Sequence, residues 1–187
     1  HNPRSTVGTI TEIYDYLRLL FARVGHPHCP RCGQEISTQS IDQIIDQVLA
    51  ELEQRSQHSP TRLMILSPVV KNRKGQFKDL FDNLKQKGFS RVRVDGQVIG
   101  LEEDIALIKT NKHNIEAIVD RLSISQTQLD DKQERQTLRS RLNQSVEQSL
   151  ELSSGLVVIG YVLDDSFDFP EKPKEFDDQL FSENLAC

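Results

Sequence analysis

Phe89–Ile99 reads FSRVRVDGQVI, two short β-branched runs joined by Asp95-Gly96. An Asp-Gly pair in this setting predicts a two-residue type I′ hairpin, because both central positions need positive φ. Strand alternation then puts Val92 and Val94 on one face and Arg91 and Arg93 on the other. The apolar face of such a hairpin must be buried against another layer. The flanking sequence therefore decides the fold class.

Downstream, His113–Ile124 (HNIEAIVDRLSI) is rich in β-branched residues and reads as a long strand. It carries Arg121, which extends the arginine stripe if this strand neighbours the hairpin. Asp131–Leu152 has Leu138, Leu142, Val146 and Leu150 at i+4 steps, the pattern of a helix. Ser153-Ser154-Gly155 ends it, and Leu156–Leu163 (LVVIGYVL) reads as a fully buried strand. Upstream, Phe77, Leu80, Phe81 and Leu84 mark a short helix closed by Gly88. Arg62–Val70 reads as a buried strand interrupted at Pro68. Ser40 with Gln43 forms a capping box, followed by an apolar stripe from Ile41 to Leu52.

Strands and helices mixed in this way predict an α/β (α+β) domain, a mixed sheet with packed helices. Its expected limits are 39–163, with an arm at 1–38 and a return segment at 164–187. In the first arm, apolar residues from Ile10 to Val24 recur at helical spacing behind a Thr9/Glu12 capping box. Gly25 and Pro27 stop that helix. The return segment is acidic and Pro-containing to Asp178, which predicts a mobile connection.

Composition narrows the function. The 187 residues carry a net charge of −5, so there is no global basic signature for nucleic acid. No apolar run reaches the length of a membrane span. Three cysteines do not make a secreted disulfide framework, which points to a reducing, cytoplasmic setting. The start at His1, without an initiator Met, suggests a piece of a longer protein.

Cys29 and Cys32 stand as C-P-R-C-G on a Pro/Gly turn. That spacing lets two thiolates reach one tetrahedral metal, with zinc the expected ion. A redox pair is the alternative, although thioredoxin-type pairs open a helix after a strand and this one follows a helix. His26 and His28 are near in sequence, and Cys187 is a possible third ligand.

Lys71–Lys78 (KNRKGQFK) is the most basic short run. It is either a solvated loop or an anion or partner contact. It lacks the glycine spacing and Lys-Ser/Thr ending of a phosphate loop. The arginine stripe is either a solubility feature or a docking patch for an acidic partner, which Arg suits by its fork geometry.

Several stretches together carry a family resemblance: NPRSTVGTITEIYDYLRLLFARVG (2–25), CPRCG (29–33), PVVKNRKG, GFSRVRVDG, KHNIEAIVDRL and LFSENLAC. In this order they resemble the UvrA family, the A subunits of bacterial UvrABC excinucleases, over nearly the whole chain. The resemblance implies a piece of a dimeric ABC-class ATPase of nucleotide excision repair that binds damaged DNA and loads UvrB. In those terms 1–38 closes the first ATP-binding region and 39–163 is the UvrB-binding insertion. Residues 164–187 lead into a second zinc module, which puts Cys187 in doubt as a ligand shared with Cys29 and Cys32. ATP and Mg²⁺ would belong to the intact protein, since this stretch has no phosphate loop, signature motif or acidic Walker B strand.

The expected mechanism is electrostatic docking of UvrB on the open sheet face by Arg91, Arg93 and Arg121, with Lys71, Arg73 and Lys74 as a rim. The rival is direct DNA binding by the same arginine stripe.

Overall fold

The computed structural model describes residues 13–25, 38–57, 59–165 and 168–184. The chain divides into two units, His1–Thr38 with Leu185–Cys187, and Gln39–Asn184.

In the first unit the described structure is helix α1, Ile13–Val24. None of its residues is buried, and Tyr14, Leu17, Leu20 and Phe21 are exposed. The capping box at Thr9 and the C-P-R-C-G turn lie outside the described residues.

The second unit holds α2 (Ile41–Arg55), β1 (Thr61–Lys74), α3 (Lys78–Gln86), β2 (Arg91–Val94), β3 (Gln97–Gly100) and β4 (Lys112–Ile124). It continues with α4 (Gln126–Asp130), α5 (Lys132–Ser153), β5 (Leu156–Val162) and β6 (Phe176–Ser182). The six strands form one sheet in the order β3-β2-β4-β1-β5-β6. The α/β class is as expected, and the sheet is antiparallel at every pairing rather than mixed in direction.

Local chemistry accounts for the elements. The Ser40 hydroxyl accepts from Gln43 N, and the Gln43 side chain accepts from Ser40 N, so the capping box closes α2 at its start. The Asp131 carboxylate caps α5 through the Gln133 and Glu134 amides. Asp95 and Gly96 both take positive φ, as the hairpin requires. Pro68 does not end β1. It sits at a register shift against β4, where a missing N–H is tolerated, and the strand runs on to Lys74.

One sheet face carries the main core. Leu63, Ile65, Leu122, Val157, Ile159 and Tyr161 pack under α2 and α5, and Val92, Val94, Ile115 and Ala117 pack under α3. The opposite face gathers Met64, Leu66, Val98, Ile118, Val158 and Val162, with Phe169 and Phe176 against them. The stretch expected as a mobile linker thus supplies an ordered strand, β6, and two aromatic covers.

Candidate functional site

The arginine stripe is on that second face, but the face is not open. Arg93 is 3% exposed. Its Nε donates to Glu116 Oε2 at 2.5 Å, and its two Nη atoms donate to the Asp178 carboxylate at 2.9 and 2.8 Å. Phe176 stacks on the guanidinium, 4.9 Å from ring centroid to Cζ. Three strands separate β2 from β6. Across a flat sheet that is about 19 Å, beyond an arginine's reach. The sheet therefore curls, and Arg93 clasps its two sides. Gly160 permits the crossing. A Cβ there would lie 2.9 Å from Asp178 Oδ1 and 3.6 Å from Arg93 Nη1. Burial is the largest influence on Arg93 and favours its neutral form. Hydrogen bonds and charges from Glu116 and Asp178 outweigh it and raise the pKa.

The segment between β5 and β6 lies across the same face as a strap held by arginines. Arg62 donates to the carbonyls of Asp164 and Asp168 at 2.7 and 2.8 Å. Arg121 donates to the Pro170 carbonyl at 2.7 Å and stacks on Phe169 at 4.3 Å. Arg91 meets Glu171 at 3.3 Å. The Asp164 carboxylate accepts from the Lys174 and Glu175 amides, which folds the strap back toward β6.

Arg121 differs from Arg93. It donates to a neutral carbonyl rather than to a carboxylate, and its buried Nε has no acceptor among the described residues. Desolvation, then the like charge of Arg91, lowers its pKa. Arg91 and Arg121 thus make a half-buried cationic pair, met only by the exposed Glu171 at 3.3 Å from Arg91 among the described carboxylates, while Arg93 is neutralised inside the fold.

Lys71, Arg73 and Lys74 are exposed and lie elsewhere. Arg73 pairs with His113 and Lys74 with Lys112 at the start of β4, whereas Arg121 pairs with Met64 near its end. Nine residues of strand, Lys112 to Arg121, span roughly 30 Å. The expected rim is therefore not around the arginines. Between Arg73 and the hairpin sits His113, buried, its Nδ1 2.7 Å from Asp95 Oδ2 and its Nε2 3.0 Å from the Ile108 carbonyl. The Asp95 bond, then the carbonyl, raises its pKa.

Cys29, Cys32 and Cys187 lie outside the described residues, as do His26 and His28. Among the described residues no cluster of three or more His, Cys, Asp or Glu side chains is set to hold a metal ion. No described helix is long and apolar enough to cross a membrane.

Sequence reasoning missed Glu116, Asp178 and Arg62. The available signal was Phe169 and Phe176 within an acidic run, a composition suited to covering arginines rather than to a bare linker.

Residues 39–162 match the family model described as the UvrA interaction domain. The chain belongs to the UvrA family. UvrABC system protein A from Clostridium acetobutylicum is 50% identical over 187 residues. The Clostridium perfringens protein of the same name is 46% identical over 187 residues, and that of Mycobacterium bovis 49% over 186. Each alignment covers 100% of this chain and 17% of the relative. The chain thus spans about a sixth of the length of these UvrA relatives. The matched region stops at Val162, so the strap and β6 lie beyond the interaction-domain model although they complete its sheet.

Proposed function

We propose that this chain is the docking module through which a UvrA-family protein of nucleotide excision repair engages UvrB. The observation that carries the reading is the Arg91–Arg121 pair. Arg121 has a buried Nε without an acceptor among the described residues and sits beside a second cation, in a domain whose family description is interaction. A carboxylate from a partner would satisfy that nitrogen and relieve the repulsion. Arg93 acts indirectly, by holding the curl of the sheet that presents Arg91. Within the longer protein, the reading extends to ATP with Mg²⁺, zinc at Cys29, Cys32 and Cys187, damaged duplex DNA, self-association outside this chain and a cytoplasmic setting.

Calorimetric titration of the chain with purified UvrB tests the docking site. Charge reversal at Arg121 or Arg91 is expected to weaken binding about thirtyfold or more, as truncation of desolvated interface arginines does. Unchanged affinity in both variants would overturn the assignment. Both side chains are partly exposed, so the thermal midpoint reports separately whether the fold survived.

A further inference from the structure

The end of the β1–β4 ribbon opposite the arginines is a second cationic surface. β5 pairs with β1 only from Leu63 to Leu66, and β2 pairs with β4 only from Ile115 to Ala117. β1 and β4 continue past both as a two-stranded arm, with Arg73 opposite His113 and Lys74 opposite Lys112. Asn72 N donates to Asn114 Oδ1 at 2.8 Å and ties the strands together. Lys71, Arg73, Lys74, Lys78, Lys109 and Lys112 are all exposed. None of the six forms an ion pair with a described residue. Neither 69–78 nor 106–114 contains an acidic residue, on a chain whose net charge is −5.

Two features separate this arm from an ordinary solvated loop. Lys74 and Lys112 are directly opposed across the ladder, an arrangement that destabilises a strand pair unless an anion lies between or over the charges. In the next register, Arg73 opposes His113, whose ring already engages Asp95 at 2.7 Å, so that carboxylate does not neutralise Arg73.

We infer that this arm binds the phosphate backbone of duplex nucleic acid. Lysine is a compact point charge that meets phosphate without a fixed fork geometry, and it is depleted at the centres of protein–protein interfaces. Ile108 is the one large apolar side chain exposed on the adjoining loop, too little for the apolar core of a protein interface. A two-stranded antiparallel ribbon is also narrow enough to approach a major groove. The surface is distinct from the Arg91–Arg121 pair, and the net charge of the chain does not oppose it, because the carboxylate at the root of the arm, Asp95, is engaged by His113 and the Asn114 amide rather than by the exposed cations.

The test is fluorescence anisotropy of the chain with a labelled, undamaged duplex, without any protein partner, so its failure would leave the docking assignment standing. Replacing Lys71, Lys74 and Lys112 by Gln is expected to lower affinity at least about tenfold at low salt. The slope of log affinity against log salt should flatten by about 0.9 for each phosphate no longer neutralised. Lys132→Gln, which removes one charge from α5, should change neither as much as Lys74→Gln does. Polyglutamate of matched charge should not displace the duplex. No measurable duplex binding by the unsubstituted chain, an unchanged slope in the triple variant, or equal binding of polyglutamate would each overturn the inference. The three positions are exposed, and circular dichroism with the thermal midpoint confirms that the variant is folded.

Discussion

The two cationic regions of this sheet have opposite designs. At one end, arginines are folded into the structure. Arg93 is buried between two carboxylates, and Arg62, Arg91 and Arg121 hold a strap of backbone and aromatic rings. At the other end, lysines stand exposed without an ion pair among the described residues, one directly opposite another. The difference teaches that a run of positive charge in sequence has no single meaning. A guanidinium can be desolvated when several acceptors surround its fork, whereas an ammonium is more strongly hydrated and tends to stay exposed.

The largest effect should come from removing the clasp. Arg93→Met leaves Glu116 and Asp178 facing each other without their cation. Urea unfolding should show a loss of about 3 kcal/mol, the lower part of the range for breaking a buried pair because Asp178 stays partly in water. A loss under about 0.5 kcal/mol would mean that the curl is held by apolar packing alone. Gly160→Ala attacks the same point sterically. Its methyl would press on Asp178 and on Leu66 Cδ1, 3.1 Å away, and a cost of about 1–3 kcal/mol is expected from the same measurement.

His113 sharpens the contrast at the root of the arm. Its pKa is raised in the folded chain, so its contribution is fully present below the unfolded value of about 6.5 and is lost as pH rises through the folded value. The stability gap between the unsubstituted chain and His113→Gln should shrink between slightly acidic and alkaline pH. A gap that widens would reverse the assigned charge state. The smallest effect should carry the opposite sign. Lys112→Gln removes a like-charge pair and should raise stability by about 0.3 kcal/mol at low salt, and by less when salt screens the pair.

Much of the fold was legible because its signals are local. The Ser40/Gln43 box, the Asp95-Gly96 turn, the i+4 leucines of α5 and the continuous apolar run of β5 each fix a few neighbouring residues, and the structure has all four. Pro68 misled because a proline in a ladder reads as a break, while a register shift with β4 removed the need for its N–H. The return segment misled for a different reason. Its strand is short, acidic and weakly patterned, and β6 exists because β5 offers it an edge and Arg93 and Arg55 offer its carboxylates partners.

The sequence by itself determined most of the elements, the hairpin, the family and which residues are charged. Only the tertiary structure decided what each charge does. Side-chain period and caps act over a few residues, but whether an arginine is buried, paired or free depends on a sheet that curls until residues 85 positions apart touch. That long-range geometry turned Arg93 from a docking contact into a clasp, left Arg121 Nε short of an acceptor among the described residues, and set the exposed lysines at the far end of the sheet.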